Sequence, residues 1–261
     1  MRIPPEPRSR DIAKSLRNLD LAHENRRRHR ASRVARYGRL AVSATEADTG
    51  IGQKLTAPFL ELLPITGVAL AVLDREKKAS VIHISDATAG RLEEAHFDLG
   101  AGPLFECFTT MRPVLIPSVS DEDRWPFFLS QASELNVNAI FVFPLILGAA
   151  CVGTVLCYRT TAGPLDDDSV EVGAALARAV SAPALRQAIS LAGDEKSREG
   201  TPIEMRREVH QATGMMLAQL DIDATEALAR MRAYAFSQGL SLRDVARDVV
   251  NRRLNFSSVE D

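Results

Sequence analysis

The spacing of apolar residues changes twice along the chain. From about Ser9 to Ala44, Ile12, Leu16 and Leu19, then Val34, Tyr37 and Leu40, recur at helical three- and four-residue steps. Between them, Glu24-Asn-Arg-Arg-Arg-His-Arg30 leaves no apolar stripe, so residues 1–52 are expected to form a helix-prone arm. From Gln53 onward the pattern is mixed. Leu55–Leu63 has helical spacing, and Val68–Leu73 and Ser80–Ser85 are short apolar runs around the charged turn Asp74-Arg-Glu-Lys-Lys78, a hairpin signature. Gly102–Met111 predicts a short helix and Phe127–Leu135 another. Pro113-Val-Leu-Ile-Pro117 predicts an edge strand, because proline cannot donate to a ladder. Ala139–Tyr158 carries no charge and has the length of a bilayer span. Pro144, Gly148 and Gly153 break it into two β-rich runs, Asn138–Leu147 and Ala150–Tyr158, so it is expected to be a buried hairpin turning at Gly148. Asp166-Asp-Asp168 opens a long Ala-rich helix with its carboxylates at the favourable end of the dipole, and Pro183 is expected to kink or interrupt it.

Polar residues 193–200 predict a joint, closing a domain that spans 53–192. A bundle over 201–256 and a short tail at 257–261 follow. Thr201-Pro-Ile-Glu204 combines an N-cap, a proline at the first helical position and a capping-box Glu. Met205, Val209, Ala212, Met216 and Leu220 then line one face. Asp223-Ala-Thr-Glu226 caps a second helix, inward at Ala227, Leu228, Met231 and Ala235 and ended by Gly239. Ser241 caps a third, inward at Leu242, Val245, Ala246, Val249 and Val250. Three helices of about 55 residues in all lie near the lower limit of independent stability and would gain from dimerisation.

The 261 residues are 46% hydrophobic and 25% charged with a net charge of −2, which excludes a disulfide miniprotein, a collagen or a wholly disordered chain. That near-neutral total hides a segregation. Residues 1–41 hold 12 basic and 4 acidic side chains, and the remaining 220 hold 20 and 30. The basic arm fits a solvated helix, docking on an acidic surface of its own protein, or a nucleic-acid contact. Cys107, Cys151 and Cys157 lack metal-ligand or disulfide spacing, so no metal is expected and a reducing, cytoplasmic compartment fits. The first forty residues lack the apolar core of a signal peptide.

Residues Ile203–Leu254 resemble the ANTAR domain of bacterial antitermination regulators. The resemblance rests on Gln211-Ala-x-Gly214-Met-Met216, Glu226-Ala-Leu228, Met231-Arg-x-x-Ala235 and Leu240-Ser-Leu-Arg-Asp-Val-Ala246, with matching spacing between blocks. Residues 53–190 resemble a GAF domain through Leu99-Gly-Ala-Gly-Pro103, the proline-bounded strand, Arg124-Trp-Pro126-Phe127, and Phe143-Pro-Leu145 with Gly153-Thr-Val-Leu156. Together they imply an α+β fold: a GAF-like antiparallel sheet with flanking helices, a helical linker and a three-helix ANTAR bundle. They also imply a homodimeric regulator that senses a small molecule, binds paired stem-loops in leader transcripts and prevents transcription termination. No membrane partner and no catalytic residue are expected, and no cofactor is named.

Within 201–256 every formal cation is Arg, and a guanidinium can fork onto phosphate or stack on an unpaired base. The bundle's net charge is only +1, so affinity should come from a local cluster and from two modules engaging two hairpins. The candidate RNA-binding residues are Arg206, Arg207, His210, Gln211, Gly214, Arg232, Arg243 and Arg247; Arg243 and Arg247 are four apart and share a face. Gly214 in mid-helix admits either close packing or an open backbone. Phe105, Cys107, Phe108, Trp125, Phe128, Phe141 and Tyr158 are candidates for lining a sensor pocket or forming its core. Cys107, after a Gly-Pro turn, is either a buried structural cysteine or one whose pKa a helix N-terminus would lower. Cys151 and Cys157 share a face if their strand is regular. Two other classes stay open. A capped three-helix bundle also suits DNA docking, and one GAF branch reduces free methionine sulfoxide through cysteine chemistry, although these cysteine spacings do not resemble its arrangement.

Overall fold

The uncharged run is a hairpin, as its interruptions predict. β4 (Ala139–Leu147) and β5 (Ala150–Arg159) pair antiparallel across a turn in which Gly148 has φ 63°. They are the centre of a five-stranded antiparallel sheet with β1 (Gly67–Leu73), β2 (Ala79–Ile84) and β3 (Val114–Ile116), ordered β2-β1-β5-β4-β3. The proline-bounded strand β3 lies at the edge. Pro144 stands past the last β3–β4 pair, Val114 with Val142, where no β3 residue faces it. This computed structural model describes residues 50–74, 79–193 and 202–258, with side chains from residue 208 in the last segment. The expected arm helix, the 194–200 joint, the Thr201 cap, the Met205 position and the end of the tail lie outside the described residues.

Both faces of the sheet are covered, which is why its central strands read as continuous apolar runs. Helices α1 (Ile51–Leu62) and α5 (Asp167–Gly193) cover one face, where Phe59, Leu70, Phe141, Phe143, Val155 and Leu176 are buried together. On the other face lie α2 (Ala87–Leu99), α3 (Pro103–Thr110) and α4 (Pro126–Glu134), packing Leu92, Cys107, Phe128, Leu129, Ile140 and Leu156. The apolar pattern does not mark α2, because Glu93 and His96 fill two of its inward positions. It is capped at both ends: Asp86 Oδ1 accepts the Ala89 N–H at 2.9 Å, and Gly100 ends the helix at φ 62°.

Two expectations are corrected. Of the two outcomes expected at Pro183, interruption does not occur: helix α5 runs through it. Proline removes one backbone bond there, and Val180, Ala184 and Ala188 hold both sides of it on the sheet. Strand β5 is not regular either. Leu145 pairs with Gly153 and Ile146 with Cys151, so Val152 is an extra residue in a bulge, and a bulge reverses the alternation of faces. Val152 therefore joins Val155 and Cys157 beneath α5, while Cys151 turns toward Cys107 on the opposite face.

The C-terminal bundle follows its capping signals. Asp223 Oδ1 accepts the Glu226 N–H at 2.8 Å to open α7 (Ala224–Gln238), and Gly239 at φ 64° closes it. Ser241 Oγ accepts the Asp244 N–H at 3.1 Å to open α8 (Leu242–Val250). These pack with α6 (Pro202–Leu220) around Val209, Ala212, Met216, Ala227, Met231, Val245, Ala246 and Val249. Phe97, from the sensor helix α2, packs against the same cluster.

Candidate RNA-binding surface and its contact with the sensor

Away from the bundle's own core, α6 and α8 meet through one carboxylate, and Arg243 also borders the cavity against the sensor's β2 and α2. Glu208 receives Arg243 Nε at 3.2 Å on one oxygen and Arg247 Nε at 3.7 Å on the other, and Arg247 also reaches Asp244 at 3.3 Å. The four-residue spacing thus brings both arginines to one face, side by side. Burial of Val245, Ala246 and Val249 turns that face outward. His210 and Gln211 are exposed on α6. Gly214 is also exposed, and a Cβ built there meets nothing within 4 Å, so within this chain it leaves backbone open and serves no close packing. The Arg206 and Arg207 side chains lie outside the described residues.

Arg232 is not part of this surface. Its Nη2 donates to the Phe97 carbonyl at 2.9 Å, and the guanidinium lies on Gly100, where an added Cβ would sit 2.5 Å from Nη1. Its Nε is buried with no hydrogen-bond partner among the described residues. One turn on, Phe236 meets Phe127 of α4 edge to face at 4.9 Å, although the two are 62% and 57% exposed. Asp98 completes the contact by accepting the Leu242 N–H at the start of α8. Burial, then the Glu94 charge, pushes the Asp98 carboxyl up to about 7 against the opposing pull of that bond and of Arg232. No spacing signal points to Asp98, Phe97 or Phe127, because each acts only across the contact between modules.

The sensor candidates do not form one pocket. Cys107, Phe128 and Tyr158 are core residues under α2–α4, with half-buried Trp125 beside them beneath the Arg124 guanidinium, 4.4 Å from its ring. Phe105 and Phe108 pack around Leu73 and Leu104. Phe141 belongs to the opposite face of the sheet, because side chains alternate along β4. Of the two readings of Cys107 the buried structural one holds: burial pushes the thiol up, as it does for Cys157. At the core's centre, His96 Nδ1 donates to the Leu92 carbonyl at 2.8 Å and Nε2 accepts the Leu104 N–H at 3.2 Å. Its ring lies 4.1 Å from that of Phe128, and burial lowers its pKa to about 3. A separate cavity of about 210 Å³ opens outside this core, between β2, α2 and Arg243 of the bundle. Among the described residues no helix is long and apolar enough to cross a membrane, and no cluster of three or more His, Cys, Asp or Glu is placed to hold a metal ion.

No curated protein matches the chain. Among solved structures, the GAF domain of the Acinetobacter phosphoenolpyruvate-protein phosphotransferase is 10% identical with a TM-score of 0.45, over 63% of this chain and 98% of that one. The GAF domain of the corresponding Coxiella burnetii protein is 14% identical with a TM-score of 0.44, over 61% and 96%. Free methionine-R-sulfoxide reductase from Neisseria meningitidis is 12% identical with a TM-score of 0.43, over 59% and 87%. The family comparison is more direct: the GAF domain model matches residues 33–182, more than half of the chain, and the ANTAR domain model matches 201–250. The chain therefore belongs to the GAF domain family and carries an ANTAR domain behind its sensor, the composition of a regulatory GAF–ANTAR protein.

Proposed function

We propose that this protein is a signal-responsive regulator that binds paired stem-loops in leader transcripts as a homodimer and prevents transcription termination. The ANTAR match supports an RNA-binding antitermination module and the GAF match a sensor. The observation that carries the reading to particular residues is the pairing of Arg243 and Arg247 across Glu208, which holds two partly exposed guanidinium forks side by side on the face of α8 opposite its core, Arg243 at the edge of the cavity toward the sensor. Arg206, Arg207, His210, Gln211 and the open backbone at Gly214 are the further candidates for RNA contact on α6. Filter binding of a paired stem-loop leader against duplex DNA of the same sequence tests this, and preference for the duplex overturns it.

Arg232 enters this scheme as a masked contact. Held on Phe97 and Gly100, it is withheld from RNA while α7 rests on the sensor, and Phe236 with it. Signal transfer along α5 and the 193–200 joint is one route; the α2–α7 contact supplies a shorter one. Phe127→Ala removes the edge-to-face contact from the sensor side without altering the bundle. Losing about 1 kcal/mol of docking should tighten RNA binding by the full chain roughly threefold to fivefold, and unchanged affinity in a gel-shift series would rule out masking.

Docking should also depend on pH. Asp98 holds its proton with a pKa of about 7 in the docked arrangement against an ordinary 3.8, so the docked state binds the extra proton. The groups that face it are Glu94 on its own helix, Arg232 on α7, and Asp244 with the Leu242 N–H on α8. Raising the pH from about 6 to about 8 ionises Asp98 where it is poorly compensated and favours release. Relative to Asp98→Asn, the unmodified chain should gain RNA affinity over this range. Parallel pH profiles for the two would contradict the assignment.

A further inference from the structure

The cavity between the modules owes its apolar wall to two local features of the sensor. The first is a bulge at Ile82 in β2. Ala69 pairs with Ile84 and Ala71 with Val81, so Val81 and Ile84 share a face despite their odd spacing. Ile82 and His83 turn the other way, Ile82 onto the core beneath α1 and α5 and His83 Nδ1 to within 2.8 Å of Thr56 Oγ1 on α1. The second is on α2, where Ala87, Gly90, Glu94 and Phe97 recur at helical steps along the cavity and the first two leave it room. A Cβ added at Gly90 would meet only Ile84, at 3.6 Å, so alanine fits there and is the better helix former. Packing within the chain gives no reason for a glycine at this position; what it keeps open is part of a space of about 210 Å³, which Arg243 of α8 closes from the bundle.

The charged groups on the lining are already engaged. Glu208 takes Arg243 at 3.2 Å, Glu94 takes Arg91 at 3.6 Å, Asp98 accepts the Leu242 N–H and faces Arg232, and Glu93 has a partner as well. Water held here would find few of the roughly two to four open polar partners it needs, and a cavity walled by apolar side chains favours an apolar guest.

We infer that this cavity is a binding site for a small uncharged apolar molecule, an aromatic ring or a compact branched hydrocarbon without a charged head. Benzene fits a cavity of about 150 Å³, so one of about 210 Å³ takes roughly eight non-hydrogen atoms. Val81, Ile84 and the Phe97 ring supply the contacts, whereas a charged guest would be desolvated beside groups that have no bond left to offer it. The Arg91 side chain, 69% exposed, marks the side open to solvent. This pocket lies outside the aromatic core beneath α2–α4, and it needs the bundle to be complete. A ligand bound here favours the docked arrangement, because only that arrangement brings Arg243 over the wall. The site stands without any RNA; its opposition to RNA binding rests on the proposed function.

The test uses the full chain with ethylbenzene as probe, followed by ligand-observed NMR and by thermal shift. Benzylamine, in which an ammonium replaces the probe's methyl group, and benzoate are the charged counterparts. Ethylbenzene should bind with a dissociation constant of about 1 mM or below and raise the melting temperature, and both charged compounds should bind at least about tenfold more weakly. Gly90→Leu fills the cavity from α2 and should weaken ethylbenzene binding about tenfold or more. Gly90→Ala, whose Cβ makes an ordinary contact with Ile84 and keeps the helix, narrows the cavity and should weaken binding about twofold to threefold, so the site is tested even where the leucine variant folds poorly. Absence of any response to ethylbenzene, equal binding of either charged compound, or full binding by both variants overturns the site. Ethylbenzene binding that leaves RNA affinity unchanged keeps the site and overturns its coupling to RNA.

Discussion

Replacing Arg243 and Arg247 together by alanine should weaken binding of a paired stem-loop leader about a hundredfold. Each guanidinium that meets a phosphate or base edge makes a charge-assisted contact worth about 1.5 to 3 kcal/mol, and two at the lower value already amount to roughly 3 kcal/mol. Where both guanidiniums meet phosphates, the change should also flatten the salt dependence by roughly 1.4 to 1.8 in log–log slope, since two fewer phosphates are neutralised. The bundle should stay folded, because α8 holds its place through Val245, Ala246 and Val249, and the arginines lie on the other side. Two further variants separate charge from geometry. Lysine at both positions keeps the charge and loses the fork, so it should recover the salt slope and little of the selectivity. Glu208→Gln frees both guanidiniums from their shared carboxylate and should strengthen binding while making it less discriminating. Unchanged affinity of the double alanine variant, with helicity intact, would remove this face from the RNA site.

That face was legible in the sequence because it depends only on helical period and capping. Asp223 and Ser241 mark where α7 and α8 begin, Gly239 where α7 stops, and the inward stripe then decides which arginines point out. The β4–β5 hairpin was legible for a similar reason: Pro144, Gly148 and Gly153 punctuate the uncharged run. What was not legible depends on tertiary partners. Arg232 looks like any other arginine of the bundle until Phe97 and Gly100 come to lie against it. The bulge at Val152 turns Cys151 and Cys157 to opposite faces, and nothing in a stretch of small apolar residues announces it. Helix α2 is the instructive miss, since its caps at Asp86 and Gly100 were present while its inward Glu93 and His96 hid the apolar stripe. The polar residues that obscure α2 are the same ones that line the interdomain cavity and centre the sensor core.

Lowering the pH from about 6.5 to about 4.5 should cost the sensor roughly 2.3 kcal/mol through His96 alone, the slope approaching about 1.36 kcal/mol per pH unit once the unfolded ring is protonated. The ring is neutral in the folded protein. Leu92 offers a carbonyl to Nδ1, so Nδ1 carries the proton, and Nε2 is left as the acceptor for the Leu104 N–H. Protonation would put a charge in a fully buried site beside Phe128 and turn that acceptor into a second donor facing an N–H. The folded pKa of about 3 lies below the ordinary 6.5, so this stabilisation is complete above 6.5 and is lost as the pH falls toward 3. Its full extent is on the order of 5 kcal/mol, comparable with the whole stability of a small domain. Half-buried His83, also lowered by burial, adds a slope of the same sign. Gly102 cannot be exchanged to relieve the site, since a Cβ there would sit 2.7 Å from the His96 ring and the residue holds φ 135°. Urea unfolding followed at pH 7 and at 4.5 should show the sensor transition shifting while the bundle's moves less. In the folded protein the His96 ring protons should keep their neutral chemical shifts down to about pH 4, and a His96 signal titrating near 6.5 would show that the ring reaches solvent and that the buried network is not what holds α2 to α3.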